Sequence, residues 1–446
     1  MNWPVYADLK ESGVEWLGEI PSSWSTSRLG FEAWVRARLG WKGLKADEYV
    51  DEGVAFLATP DIRPRKINFD NVFRITEERY AESPEIMLNV GDVLLAKDGS
   101  TLGSVNLVRH LPERATVNGS IAVITPGKRL NSSYLNYLIG SSFVANRIQM
   151  LKGGMGVPHL FQDDIRRFEV PLPTLSEQEC IVTFLDGETA KIDALIDKQE
   201  QLIATLREDR TATITHAVTK GLDPAAKMIE SDIRRLGKVP AHWSIPQIGM
   251  HAVVGNGSTP ARDNPGYWSD GSIPWLNSSH VNKEEITEPD QFVTQAAFRE
   301  CHLPMVTSGS VLVGLTGQGK TRGMASILST RSTINQHLAY ITPIDDKLDG
   351  RFLQRALSSA YGLLRELSDE NGSTKGGLTC GDLRKVRIPL PPIGEQAQIV
   401  KHLAERCAKI DSLISKAIQM IETLHEYRAA LITDAVTGKI DVRGVA

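Results

Sequence analysis

A long helical stretch occurs twice in this chain. Residues 171–221, PLPTLSEQECIVTFLDGETAKIDALIDKQEQLIATLREDRTATITHAVTKG, align without a gap on residues 389–439, PLPPIGEQAQIVKHLAERCAKIDSLISKAIQMIETLHEYRAALITDAVTGK, at an offset of 218. Glu177-Gln178 falls on Glu395-Gln396, Lys191-Ile192-Asp193 on Lys409-Ile410-Asp411, and Ala217-Val218-Thr219 on Ala435-Val436-Thr437. In a chain of 446 residues an internal copy at half the length is a tandem duplication. The repeat fixes the symmetry of the fold before any element is assigned.

Each copy reads as one helix of about 40 residues, roughly 60 Å at 1.5 Å per residue. Pro173 and Pro392 stand before the starts, where proline is tolerated. Ser176 can cap the first helix, with Glu179 three residues on. The apolar spacing is heptad-like: Ile192, Leu195, Leu202 and Leu206 in the first copy, and Ile410, Leu413, Ala417, Met420, Leu424 and Leu431 in the second. Ile196, Ile203, Ile414 and Ile421 widen the stripe. Gly221 and Gly438 act as stops. No small core needs helices this long, so two of them with seams are expected to pack on each other rather than serve as separate core helices.

Length allows two to four domains. A hydrophobic content of 41% and a charged content of 23% are those of a globular protein. No apolar run is long enough for a transmembrane helix, and MNWPVYADLKESG lacks the apolar core of a signal peptide. A cytoplasmic protein without membrane contact is expected. Cys180, Cys301, Cys380 and Cys407 are scattered, with no CxxC, and read as reduced thiols. The net charge of −4 speaks weakly against nucleic acid. Yet residues 174–221 hold nine acidic side chains against five basic ones, so the globular parts are less acidic than the total.

The organisation follows from the repeat. Residues 1–173 form a first globular segment, 174–221 the first long helix and 222–230 (LDPAAKMIE) a short linker. Residues 231–391 form a second globular segment, and 392–446 the second long helix with a tail. SGVEWLGEIPSSW at Ser12–Trp24 and SDIRRLGKVPAHW at Ser231–Trp243 share Leu-Gly, Pro and Trp and mark the two openings. GDVLLAKDG (91–99) matches GSVLVGLTG (309–317), a buried strand entering a glycine turn. SIAVITP (120–126) matches HLAYITP (337–343), a strand ended by proline. Residues 133–151 and 350–367 have helical spacing. Each half is therefore α/β or α+β. The framework agrees between halves while the loops do not: 40–53 has no counterpart in 255–271. Two readers of different targets would look like this, and so would drift after duplication.

Two patterns suggest enzymes. Gly314-LTGQ-Gly319-Lys320-Thr321 fits the phosphate-cradling P-loop and follows a strand. Its duplicate, starting at Ala96, lacks the Gly-Lys-Thr, and no apolar run ending in Asp follows to hold magnesium. Asn264-Pro265-Gly266-Tyr267 is close to the NPPY of DNA amino-methyltransferases, and Val254-Gly255-Asn256-Gly257 to their cofactor loop. The two lie too near each other for a strand, helix and strand between them. The ten histidines are dispersed, and His159, His280 and His337 read as polar loop or core residues. No serine nucleophile motif is present. The chain looks like a reader or an adaptor.

The paired PLPxxxEQ…KIDxLI…R…VTxK helices, the repeated LGxxPxxW openings, the strand ending GDVLLAKDGS and the terminal VTGKIDVR (436–443) resemble the specificity subunit of type I restriction–modification systems. The likeness covers nearly the whole chain. It implies two globular target recognition domains separated by a pair of long antiparallel coiled-coil helices, related by a pseudo-twofold axis. It implies a subunit without catalysis or cofactor. Such a subunit brings two methyltransferase (modification) subunits and the restriction subunits to double-stranded DNA with a bipartite site. The first copy departs from the pattern, ending VTKGLD where the second has VTGKID. A P-loop ATPase, a self-contained methyltransferase and a coiled-coil scaffold without DNA recognition are the competing readings.

DNA contacts are then expected from the divergent loops, where Arg, Lys, Asn and Gln supply donors to base edges and phosphates. The candidates are Lys42, Lys45, Arg63, Arg65, Lys97, Ser100, Lys152 and His159 in the first half. In the second they are Ser258, Thr259, Arg262, Asn277, Ser279, His280, Gln318, Lys320, Arg322 and Lys375. An ordinary solvated loop charge is the alternative for each.

Overall fold

The two repeated stretches fold as helices Leu175–Lys220 and Ile393–Val436 in a computed structural model. It describes residues 3–38, 44, 48–63, 66–151, 159–233, 236–317, 319–370 and 377–444. The first helix is capped two residues earlier than Ser176. Helical geometry starts at Leu175, so the hydroxyl that reaches the free N–H groups is that of Thr174, which accepts from the Glu177 amide at 3.4 Å. Both helices stop at a glycine in the left-handed region, Gly221 at φ 78° and Gly438 at φ 75°.

The chain divides into two units, Met1–Gln199 with Ile418–Ala446, and Glu200–Ala417. Each contains a piece of both long helices, running antiparallel. In the unit of residues 200–417, Arg210 pairs with Asp411 at 3.2 Å, while Gly221 lies against the Glu395 carboxylate. In the other unit, Asp193 pairs with Arg428 at 3.3 Å. There Tyr134 hydroxyl donates to the carbonyls of both Pro171 and Val436. The Lys-Ile-Asp triplets thus have a physical account. Ile192 and Ile410 are buried in the seam, and the following aspartate meets an arginine of the other helix.

The seam lies one residue over from part of the expected stripe. Ile196 and Ile203 are buried, whereas Leu195, Leu202, Leu413 and Met420 are 44–50% exposed. Neighbouring residues differ by about 100° around a helix, so a shift of one moves a side chain from the seam to its flank.

Among the described residues each unit carries a larger and a smaller sheet built to one plan. In the first half an antiparallel sheet has the order Ala33–Arg36, Ile121–Pro126, Val93–Ala96, Val105–Leu107. A second sheet places Val54–Leu57 between antiparallel Phe73–Ile75 and parallel Ala115–Val117. The second half repeats the first sheet with Ala252–Asn256, Leu338–Pro343, Val311–Gly314 and Ala325–Leu328, and adds Glu285–Ile286 at the edge. It repeats the smaller one with Gln291–Val293, Ile273–Leu276 and Thr333–Ile334. The larger sheets pack against Ser132–Ile139 and Ser142–Leu151, or Gly350–Ser359 and Tyr361–Glu370, and against the long helices through one apolar core per unit.

The LGxxPxxW openings are hairpins, Leu9–Glu11 with Glu19–Pro21 and Met228–Glu230 with Lys238–Pro240. Gly18 and Gly237 turn the chain at φ 68° and 59°, and the prolines' carbonyls accept from the Trp24 and Trp243 amides. The last three residues of the stretch read as linker, 228–230, are therefore a strand, because Lys238–Pro240 offers them a ladder partner.

The Glu-Gln pair of each repeat is a clamp. Gln178 Nε2 donates to the Arg129 and Pro173 carbonyls at 2.9 and 3.0 Å, and its Oε1 accepts from the Asn131 amide at 2.7 Å. Gln396 makes the same three bonds, to Lys347, Pro391 and Asp349, at 2.7, 2.8 and 2.9 Å. Both glutamines are fully buried. They tie the start of each long helix to the turn before a domain helix.

Candidate nucleic-acid interface

Of the described candidates, Lys97, Ser100 and His159 lie on one loop cluster of the first half, and Lys320 lies on the matching turn of the second. In the first half three segments meet. The turn 97–104 joins two strands of the larger sheet. The turn 118–120 is bound to it by Lys97 N–H donating to the Ser120 carbonyl at 2.8 Å, and the segment at 160 by Leu160 N–H donating to the Lys97 carbonyl at 2.9 Å. In the second half Leu315 N–H donates to the His337 carbonyl and Leu378 N–H to the Leu315 carbonyl, both at 2.9 Å. The short turn is framed alike too. Asn118 N–H bonds the Leu57 carbonyl and its Oδ1 accepts from the Ser120 amide. Asn335 N–H bonds the Leu276 carbonyl and its Oδ1 accepts from the His337 amide. The frame is duplicated and the residues on it differ.

On the first frame Lys97 Nζ lies 3.2 Å from Asp98, and its side chain is only 12% exposed. Asp98 also bonds His159 Nδ1, whose ring meets Phe161 edge-on at 4.5 Å. Burial pushes the Asp98 carboxyl up, but its bond to His159 and the Lys97 charge outweigh this and hold it below its ordinary value. A carboxylate depressed in the folded state adds stability that is present above its unfolded pKa and is lost as pH falls through the folded one. Asp98→Asn is expected to be less stable than the parent chain at neutral pH, with the difference closing below about pH 4 in urea titrations. A difference constant down to pH 2.5 would contradict the pairing. Ser100 and Arg63 are exposed, and the Arg63 carbonyl is fixed by Asn106 Nδ2 at 3.1 Å.

The second frame carries a longer chain of polar groups. Thr259 hydroxyl donates to Gln336 Oε1, Gln336 Nε2 meets His337 Nε2 at 3.3 Å, and His337 Nδ1 meets Thr316 Oγ1 at 2.9 Å. Arg262 is exposed, bonded to Gln291 at 2.9 Å, with its guanidinium 3.9 Å from the Trp268 ring and 4.8 Å from Trp275. Ser258 accepts the Trp275 indole N–H on its carbonyl. Asn277 Oδ1 caps the Ser279 amide. His280 is only 10% exposed and sits 3.0 Å from Asp290, so it is a structural residue before it is a contact. Lys320 is exposed.

Arg322 does not belong with the surface candidates. It is buried, with its side chain 8% exposed and bonded to Asp369 at 2.7 Å. Two residues after Lys320 the side chain is turned to Asp369 on the helix Tyr361–Glu370. Lys42, Lys45, Arg65, Lys152, Gln318 and Lys375 lie outside the described residues. Gln336, Thr316 and the two tryptophans under Arg262 were not among the sequence candidates. The signal that would have found Gln336 is the mismatch of Asn335-Gln336-His337 with Asn118-Gly119-Ser120 between matched strands.

The P-loop pattern is a β-hairpin. Gly314 N–H donates to the Met324 carbonyl and Gly323 N–H to Gly314, so Val311–Gly314 turns into an antiparallel strand and not into a helix. Among the described residues of the pattern no helix N-terminus faces a phosphate. The Asn264–Tyr267 pattern opens a four-residue helical turn, with Tyr267 hydroxyl donating to Glu300. Among the described residues no group of His, Cys, Asp or Glu is placed to hold a metal ion, and no helix is long and apolar enough to cross a membrane.

Residues 50–205 and 243–423 match the type I restriction modification DNA specificity domain, once in each half. The chain belongs to this DNA specificity family. Among its relatives, the type I restriction enzyme MjaVIII specificity subunit of Methanocaldococcus jannaschii is 23% identical over 447 residues, covering 96% of this chain and 95% of the relative. The EcoKI specificity subunit of Escherichia coli is 20% identical over 443 residues, covering 95% and 90%. The fold is shared with a chain solved in work on complex assembly and conformational transition of the type I R-M system, at TM-score 0.71 and 18% identity over 94% of this chain and 99% of that one. It is also shared with the HsdS subunit from Thermoanaerobacter tengcongensis, at TM-score 0.54 and 18% identity over 94% and 98%. A type I specificity subunit serves DNA target recognition.

Proposed function

We propose that this specificity subunit reads a bipartite site in double-stranded DNA, one part with each half, and does so by binding and not by catalysis. The observation that carries the reading is the duplicated three-segment frame, whose backbone bonds are the same in both units while its exposed side chains differ. Equal frames present loops to equal features of the duplex, and unequal side chains make the two half-sites unequal. The long helices set the spacing and dock two methyltransferase subunits, with restriction subunits completing the complex. Support for docking comes from apolar side chains left exposed at matched positions of the repeat: Leu175 and Ile393, Leu195 and Leu413, Leu202 and Met420. A partner that binds twice would use positions that occur twice.

Methylation mapping of the host genome with and without the gene tests the function and yields the target. Two neighbouring substitutions test the interface. Lys320→Ala is expected to weaken DNA binding of the complex and lower its salt slope by about one, with thermal stability unchanged. Arg322→Ala is expected to cost about 1–3 kcal/mol of stability and leave the salt slope alone. The reverse pattern would refute the placement of the interface, and tight ATP binding lost with Lys320 would refute the function.

A further inference from the structure

We propose that Gln336 reads an adenine in the major groove of the half-site bound by the second half; the proposal rests on the DNA-reading function above. Gln336 is exposed at the tip of the short turn 335–337. The turn itself is fixed on both sides of that tip. Asn335 is tied to Leu276 through its amide and to His337 through its side chain.

The side chain is fixed as well. A carboxamide offers two acceptor lone pairs and two N–H donors. Thr259 hydroxyl takes one lone pair of Oε1, and His337 Nε2 takes one N–H at 3.3 Å. Since Nε2 accepts, the His337 proton is on Nδ1, where it donates to Thr316 Oγ1 at 2.9 Å. One lone pair and one N–H of Gln336 are left on a planar group held from two directions. Adenine presents the complement in the major groove, an N6 donor beside the N7 acceptor, whereas guanine presents two acceptors there and cytosine a lone donor. Because two neighbours already hold the amide, little rotamer freedom is lost on contact. The first half has Gly119 at the same tip, with no side chain to make this contact, so the two half-sites differ at the corresponding base.

The test uses the complex recovered from its host through this full-length chain, and a pool of random-sequence duplex DNA. The parent complex should select a sequence in which one position of one half-site is fixed as adenine, and Gln336→Ala should relax that position alone by roughly tenfold or more. Gln336→Glu keeps the shape but offers only acceptors. It should lose adenine and gain cytosine there. Both variants should keep the other half-site and the salt slope, since a base contact releases no counterions. Variants that select the parent sequence, or that weaken every position alike as a merely structural residue would, overturn the assignment to Gln336 while leaving DNA reading in place. A parent complex that selects no sequence overturns DNA reading itself, and this proposal with it.

Discussion

Gln178→Leu is expected to cost the unit of residues 1–199 and 418–446 about 2–5 kcal/mol, and Gln396→Leu to cost the other unit as much. Leucine fills a similar volume, so no large cavity opens. What is lost is hydrogen bonding. In each case two carbonyls and one amide are left without their partner. A buried group left unpaired costs about 1–3 kcal/mol, and those near the surface recover part of it from water. Gln178→Glu sharpens the test. A carboxylate still accepts from Asn131 but cannot donate to the Arg129 and Pro173 carbonyls, so the folded state favours its protonated form and raises its pKa. Stability of this variant should therefore be highest below the unfolded carboxyl pKa, about 4.3, and fall as pH rises towards the folded value. Hydrogen exchange should show the loss of protection confined to the unit that holds the substituted residue. Unchanged denaturation midpoints would show that the clamp is dispensable.

A change in the recognised gap is the second large effect. Inserting four residues between Leu206 and Ile214 lengthens the first long helix by roughly 6 Å. Four residues exceed one turn by only about 40°, so buried positions stay nearly in phase. Base pairs follow each other at 3.4 Å, so a reading half carried roughly 6 Å along the duplex meets bases one or two pairs further on. Genome methylation by the variant complex should keep both half-sites, because the loops are untouched, and lengthen the unread gap by about one or two base pairs. The original sites should lose their methylation. An active variant with an unchanged gap would remove the ruler role and leave DNA reading intact.

Much of this architecture was legible because repetition speaks twice. The strands Val93–Ala96 and Val311–Gly314 and the stops at Gly221 and Gly438 fall where matched residues put them. The seam was less legible, and the reason is local. Leu195-Ile196, Leu202-Ile203, Leu413-Ile414 and Met420-Ile421 are pairs of adjacent apolar residues. Either member can face a partner, and only the partner's position decides. The site was read coarsely for a similar reason. Lys320 and Arg322 are both basic loop residues in sequence, but one points to solvent and the other is buried on Asp369. Gln336 was missed although the mismatch of 335–337 with 118–120 stands in the sequence beside matched strands.

The piece of the second long helix from Ile418 onward packs with residues 1–199, and the tail beyond it is stitched to the start of the chain, Asp441 N–H to the Pro4 carbonyl and Gly438 beneath Pro21 and Trp24. On the ribosome this inverts the usual order, in which domains close from the N-terminus. The stretch 200–417 is continuous and can close while synthesis goes on, whereas the half that is made first must wait for the last thirty or so residues, with Ile181, Phe184, Leu185 and Ile192 lacking the side chains Leu431, Ile432, Ala435 and Val436 that complete their core. A chain that stops before residue 418 lacks these side chains and leaves that part of the apolar core uncovered.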